Sequence, residues 1–334
     1  MDNKNYEKIK IKDLKIGMYV KLPSWLSHPF LKNEFIINNE KQISKIIASN
    51  ISEVEVNIDK SVHLIDNIEN ISHGDVSDVK VMSTKKWEPE KLVSEEFKNI
   101  IKDKSIAKEK KSEAVYKTSI DMMDKLLQSP TTENIKAAKS GIADIVDYIL
   151  SDRATSIYML HITSHDFYTY THSVNVGVLS TCVAQELYKG SDAHDMHELG
   201  AGFFLHDIGK TRISPEIINK PGRLSDDEMA KMRYHPYQGY KILEAANQLS
   251  EECKTIVMQH HEREDGTGYP LRLKGDEIHP YGRIGCISDI FDALTAERSY
   301  KSAMTPFDAL NIMKGDMLHH FNKDIFTKFV LLFK

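Results

Sequence analysis

Five short pieces of the sequence carry residue types that bind metals: His172, the pair His206-Asp207, His235, the pair His260-His261, and Asp289. Imidazole nitrogens with a few carboxylates suit iron, manganese or zinc, and a carboxylate between two ions can bridge them. Five histidines and two aspartates exceed the needs of one ion and match those of two. Taken singly, the pieces have ordinary explanations. His235 alone reads as a surface or satisfied core histidine, and His206-Asp207 as a common dipeptide. His260-His261 reads as a helix end, where imidazolium suits the C-terminal dipole. Two contexts sharpen the reading. His206-Asp207 closes the apolar run Phe203-Phe204-Leu205, where a His-Asp pair is costly to bury unless ligated or hydrogen-bonded. Asp289 lies among Ile284, Ile287, Ile290 and Phe291, with Asp292 one turn on and sharing its side.

Such scattered residues meet at one centre only if separate helices point them inward, as helix-bundle metal sites do. Most of the second half reads as helical. Ile135, Ala138, Ile142, Ile145, Val146 and Ile149 form one apolar stripe; Val176, Leu179, Val183 and Leu187 form another, stopped near Gly190. Ser225-Asp226-Asp227-Glu228 is a capping box, and Thr305-Pro306 a helix entry. From Glu262 to Gly282, glycines at 266, 268, 275 and 282 and prolines at 270 and 280 break the helical rhythm. A long ordered loop is expected there, and such loops tend to be functional.

The first 60 or so residues read differently. Ile9 and Ile11, then Met18, Val20 and Leu22, then Val54, Val56 and Ile58 alternate with polar neighbours, the period of half-buried strands. Ile43, Ile46 and Ile47 have helical spacing, with Asn50 as a C-terminal cap. The expected organisation is a small α+β domain at 1–66, a polar linker at 67–91, connecting helices at 92–152 and a mainly α domain at 153–334.

Composition narrows the function classes. The 334 residues carry 44 Lys+Arg against 49 Asp+Glu, a net charge of −5 that argues against a protein coating duplex nucleic acid. No run of about 18 apolar residues occurs and the N-terminus is Lys- and Asn-rich, so neither a membrane span nor a secretory signal is expected. Three scattered cysteines, Cys182, Cys253 and Cys286, fit a reducing cytoplasm better than a disulfide framework. Twelve of the 15 histidines lie between His161 and His320. Those outside the five pieces, His161, His165, His194, His197, His319 and His320 among them, read as non-ligands, the last four as surface positions.

His206-Asp207-Ile208-Gly209-Lys210, followed by His260-His261-Glu262-Arg263-x-Asp265-Gly266-x-Gly268-Tyr269-Pro270, resembles the HD-GYP family of metal-dependent cyclic-dinucleotide phosphodiesterases. Tyr168-Thr169-Tyr170-x-His172-Ser173 and Asp289-Ile290-Phe291-Asp292-Ala293-Leu294-Thr295 extend the match from about Asp166 to the C-terminus, in the family's order and spacing. The stretch Leu14 to Val20, with Trp25 and His28-Pro29-Phe30, is similar to the small domain that often precedes HD-GYP domains. Family members often continue past the point where this chain ends, at Phe333-Lys334.

The resemblance implies an HD-type helical bundle housing a dinuclear metal site. It places His172, His206, Asp207 and Asp289 on one ion and His235, His260 and His261 on the other, with Asp207 bridging. Some members use a Glu one turn before the first His ligand to hold a third metal; that place is Tyr168 here, so two divalent ions, iron or manganese, are expected. The family's Pro between Arg298 and Tyr300 is replaced by Ser299. Two ions about 3.5–4 Å apart hold a hydroxide for in-line attack on phosphorus. Lys210 is expected to meet a phosphate oxygen and offset charge in the transition state. Arg298 and Lys301 match residues that contact the ligand's phosphates and bases, and Tyr269 would offer its ring to a base. Asp292 is expected to orient a ligand histidine, and Arg263 and Asp265 to stabilise the loop.

The implied reaction opens cyclic di-GMP to linear pGpG, with GMP as end product left open. The alternatives are hydrolysis of the mixed cyclic GMP-AMP dinucleotide, or a weakly active receptor or partner-docking module acting through the Gly-rich loop or the N-terminal domain. A homodimer is left open too.

Overall fold

The computed structural model describes residues 6–14, 18–22, 34–37, 40–49, 51–57, 87–162, 169–297 and 303–333. Two compact units divide the chain, Met1–Lys80 and Val81–Lys334.

In the first unit, strands β1 (Tyr6–Lys10), β2 (Tyr19–Lys21), β3 (Glu34–Ile36) and β4 (Glu53–Asn57) form an antiparallel sheet in the order β1-β4-β2-β3. Val20 faces Val56 and Ile9 faces Val54 in the register. Val54 and Val56 are buried while Glu53 is exposed, as period-2 alternation requires. Helix α1 (Glu40–Ala48) adds Ile43 and Ile46 to the apolar cluster of Leu14, Val20, Leu22, Ile37, Val54 and Val56. Ile47, expected on the same face, is 55% exposed, lying about 100° further round the helix than the buried Ile46. Ile11 leaves the strand for a 3-10 turn, Ile11–Asp13. β3 was not expected, since three residues are too short to show alternation. Asn50 and Ile58 lie outside the described residues, as does almost all of the expected linker.

The second unit is helical: α2 (Pro89–Leu92), α3 (Glu95–Lys102), α4 (Lys108–Gln128), α5 (Thr132–Leu150), α6 (Arg153–Ile162), α7 (Thr169–Leu187), α8 (Met196–Phe204), α9 (Pro215–Ile218), α10 (Asp226–Met232), α11 (His235–Ala246), α12 (Glu251–Gln259), α13 (Pro280–Thr295), α14 (Pro306–Gly315) and α15 (Lys323–Leu331). Helix α7 is its axis. Every residue from Thr171 to Ala184 is buried, which happens only to a helix packed on all sides. It contacts α4, α5, α8, α13 and α15. The stripe expected on α5 is buried throughout, from Ile135 to Ile149, in one core with residues of α7, α8, α11 and α12. A second cluster joins α7 to α13, α14 and α15 through Leu179, Phe291, Met313 and Phe329.

The ends follow local chemistry. Ser225 and Glu228 make the reciprocal capping box and Thr305 accepts from Asp308 N, each cap stabilising its helix by about 1 kcal/mol. Among the described residues, no helix is long and apolar enough to cross a membrane.

All three cysteines are buried as free thiols. Burial raises their pKa values, that of Cys182 to about 12. A thiol reacts as its thiolate, so folded protein at pH 8 is expected to resist iodoacetamide and the denatured chain to be alkylated at three sites. Mass spectrometry of the two samples tests this; modification of folded protein would refute it.

Candidate metal centre

Five helices bring seven side chains together. His172 comes from the first turn of α7. His206 and Asp207 follow the C-terminus of α8, where the chain turns into a 3-10 segment, Ile208–Arg212. His235 opens α11, His260 and His261 follow α12, and Asp289 lies within α13. Ligand atoms of Asp207, His235, His260 and His261 lie within 4.8 Å of one another, and so do those of His172, His206 and Asp289. Asp207 stands between the groups: Oδ1 is 3.1 Å from His235 Nε2, and Oδ2 is 3.4 Å from Nε2 of both His172 and His206. His206, Asp207 and His260 are fully buried.

The hydrogen bonds determine which nitrogens face inward. Nδ1 of His206, His235 and His260 each lies 2.8 Å from a carbonyl three residues earlier, on Phe203, Met232 and Val257. A carbonyl only accepts, so each Nδ1 carries the hydrogen and each Nε2 presents a lone pair when the ring is neutral. Burial lowers the pKa of His235 to about 4 and, with His261 and His206 nearby, that of His260 well below the ordinary value. Their Nε2 atoms nevertheless face each other at 3.2 Å. Two neutral imidazole lone pairs at that distance repel unless a cation lies between them. Asp207 Oδ1 is likewise buried without a well-formed hydrogen bond. The donor set therefore fits divalent metal.

The charge balance agrees. Burial pushes the Asp207 and Asp289 carboxylates up, yet neighbouring cations and imidazoles hold both well below the usual range, with Lys210 foremost for Asp207 and His261 for Asp289. For His172, burial acts against the imidazolium, but hydrogen bonds to Asp289 and Asp292 outweigh it and raise the pKa to about 9. A proton there fills part of the demand for positive charge that metal would meet.

Asp292 lies against His172 and Asn175. Its Oδ2 accepts from His172 Nδ1 at 2.6 Å and its Oδ1 from Asn175 Nδ2 at 2.7 Å. Asn175 in turn accepts from Tyr116 Oη on α4 at 2.6 Å. Asn175, one turn past His172, had a helical-face signal in the sequence; Tyr116 had none. Asp292→Asn is expected to weaken metal binding or turnover about 10–100-fold, measured by metal titration and initial rates. Wild-type values for both would rule out this role.

The loop from His260 to His279 is shaped by a residue that the sequence reading passed over. Glu262 is buried, and its carboxylate accepts from Leu271 N at 2.6 Å and Leu273 N at 2.9 Å, folding the loop back on itself. Burial raises its pKa to about 7 against the pull of these N–H groups. Its position directly after the His pair was the available signal. Gly268 sits so close that an added Cβ would come 2.5 Å from Arg263 N, so only glycine fits this fold-back. Tyr269 packs its ring on His261, centroids 4.5 Å apart, with the Arg233 guanidinium 5.8 Å from the ring. Lys210 Nζ lies 2.6 Å from Asp207 Oδ2. Tyr168, Arg298, Ser299 and Lys301 lie outside the described residues.

The surface histidines divide. His197 is exposed and bonds Asp147, and His194 is partly buried on Tyr281. His320 is not a surface group: its side chain is 13% exposed, turned inward with His319 outward on one 3-10 turn.

The sequence profile of the HD domain matches residues 156–325, just over half of the chain. The chain belongs to the HD-domain family. All seven converging side chains lie inside that HD domain, and residues 6–134 match a domain of unknown function, DUF3391. A Pseudomonas aeruginosa protein named cyclic di-GMP phosphodiesterase is 29% identical over 327 residues, 97% of this chain and 76% of that protein. The Xanthomonas campestris cyclic di-GMP phosphodiesterase response regulator RpfG is 33% identical over 202 residues, 60% of this chain and 49% of its own. A Vibrio cholerae protein named 3'3'-cGAMP-specific phosphodiesterase 2 is 48% identical over 102 residues, 30% of this chain and 20% of its own. The chain thus spans less than half of the latter two. An HDG"Y"P protein from Bdellovibrio bacteriovorus shares the fold, with a TM-score of 0.60 at 16% identity over 98% of this chain and 99% of the other.

Proposed function

We propose that the protein is a metal-dependent phosphodiesterase that hydrolyses cyclic di-GMP to linear pGpG. The observation that carries this reading is the pair of donor groups with Asp207 between them, its Oδ1 toward His235 and its Oδ2 toward His172 and His206, and with imidazole lone pairs turned inward. His172, His206, Asp207 and Asp289 would hold one ion and His235, His260 and His261 the other, Asp207 belonging to both; iron or manganese suits this mixture of imidazole and carboxylate. When bound, such ions make water acidic enough to attack phosphorus near neutral pH and draw charge from the phosphoryl oxygens.

The chain supplies the rest. Asp292 holds His172 in the tautomer whose Nε2 faces the centre, and three backbone carbonyls do the same for His206, His235 and His260. Lys210, at the edge of the buried cluster, is the cation to meet a non-bridging phosphoryl oxygen as charge builds on it. Glu262 and Gly268 set the loop that carries Tyr269 to the centre. Tyr269 then places an aromatic wall and the Arg233 charge beside the incoming ligand, with Arg298 and Lys301 as further phosphate- and base-binding residues. A cytoplasmic location suits a dinucleotide substrate. The N-terminal unit is a candidate for partner or dimer contacts.

The test is anaerobic hydrolysis of cyclic di-GMP by iron- or manganese-loaded protein, with product separated by chromatography and metal counted per chain. Linear pGpG with about two ions held by the seven converging side chains is the expected result. Full metal occupancy without product would overturn the substrate assignment. Product from cyclic GMP-AMP alone would move it to the mixed dinucleotide.

A further inference from the structure

We propose that Asp265, His319 and His320 form a separate divalent transition-metal site that clips the His260–His279 loop to the turn before the last helix. Their ligand atoms lie within 4.8 Å of one another, and none belongs to the centre described above. The Oδ2 atom of Asp265 is 3.7 Å from His319 Nε2 and 3.8 Å from His320 Nε2. Its other oxygen is committed: Oδ1 accepts from Thr267 N at 2.9 Å and from Thr267 Oγ1 at 2.7 Å. The carboxylate is thus oriented with its spare oxygen toward two imidazoles.

These separations are too long for hydrogen bonds and close to those of shared ligation. Zinc bonds of roughly 2.0–2.2 Å to nitrogen and oxygen in tetrahedral geometry put donors about 3.3–3.5 Å apart. Bringing each imidazole to ligation distance beside Asp265 takes a shift of a few tenths of an ångström from 3.7 and 3.8 Å, and the exposed His319 side chain is free to move. The protonation states suit ligation. Burial, then Arg263 and His319, keep His320 neutral; Thr267 outweighs burial at Asp265 and keeps it ionised. Two imidazoles and one carboxylate select zinc, nickel or cobalt over magnesium or calcium and leave positions for water. Arg263 is an unfavourable neighbour, since its charge also acts on His320.

The backbone shows what an ion would join. Glu264 N donates to His320 O at 3.0 Å, so the loop and the Leu318–His320 turn already touch beside the cluster. An ion there ties down the loop between His261 and Tyr269, which lie to either side of Asp265.

The test uses the full chain, equilibrated with zinc and freed of excess, with ions counted per chain in wild type, in the double variant His319→Ala/His320→Ala and in Asp265→Asn. Each variant is expected to hold one ion fewer than wild type. Zinc, but not magnesium, is expected to slow tryptic cleavage at Arg263, Arg272 and Lys274 more in wild type than in the variants. Equal zinc counts in all three proteins would overturn the site; equal protection by magnesium would overturn ligation by imidazole. Asp265→Asn keeps the Thr267 contacts through its amide oxygen and guards against misfolding of the double variant. The counts are independent of whether any dinucleotide is hydrolysed, so failure here and failure of the phosphodiesterase reading are distinguishable.

Discussion

Asp207→Asn is expected to lower the proposed hydrolysis by about a thousandfold or more, roughly 4 kcal/mol on the barrier at 1.36 kcal/mol per decade. The substitution keeps the shape and removes the charge. Each Asp207 oxygen faces imidazole nitrogen, Oδ1 toward His235 and Oδ2 toward His172 and His206. Asparagine offers one oxygen and one N–H donor, so only one donor group keeps an acceptor atom of the shared residue. Metal content is expected to fall with activity. The metal-free protein is expected to lose stability as well, because Lys210 and the imidazoles hold the Asp207 carboxylate ionised in the folded state and the substitution leaves their charge without that counterpart. Steady-state rates, metal counts and thermal unfolding of the apo form separate these effects. A variant that kept a tenth of the activity at full metal occupancy would remove Asp207 from its proposed place.

The second large effect lies next to this residue but acts through the backbone. A Cβ added at Gly209 would sit 1.9 Å from the His235 carbonyl oxygen and 2.4 Å from Gly239 N, both main-chain atoms of α11. No rotamer relieves that clash. Either the Ile208–Arg212 turn or the start of α11 has to move, and those segments carry Asp207 and His235. Overpacking of this kind costs about 1–3 kcal/mol, more where backbone meets backbone. Gly209→Ala is therefore expected to lose about 3 kcal/mol or more, lowering Tm by about 6–12 °C at 2–4 °C per kcal/mol. Metal affinity should fall as well, because His235 and Asp207 are pushed apart. Gly315→Ala is the control: nothing lies within 4 Å of its added Cβ, and a surface change of that sort stays within about 0.5 kcal/mol. Similar losses in both variants would show that the contact at Gly209 is not the cause.

What could be read from the sequence alone has a common physical basis, which is that each signal is local. The α5 stripe, the Ser225–Glu228 box and the Thr305 entry are set by residues three or four apart, and the helices form as those spacings require. The types of the seven donors, and the cost of burying His206-Asp207 after Phe203-Phe204-Leu205, made metal chemistry legible before any tertiary contact was known. What remained hidden depends on residues far apart in the chain, or on groups facing away from their chain neighbours. His172 and Asp292 are 120 positions apart, and no local pattern pairs them at 2.6 Å. Strand β3 exists because β2 offers it a register, and three residues carry too little alternation to announce it. The Glu262 carboxylate turns away from its His neighbours to hold two backbone amides nine and eleven residues on. His320 is turned inward because its turn docks on Glu264, a contact between segments 56 residues apart that only the packed domain provides.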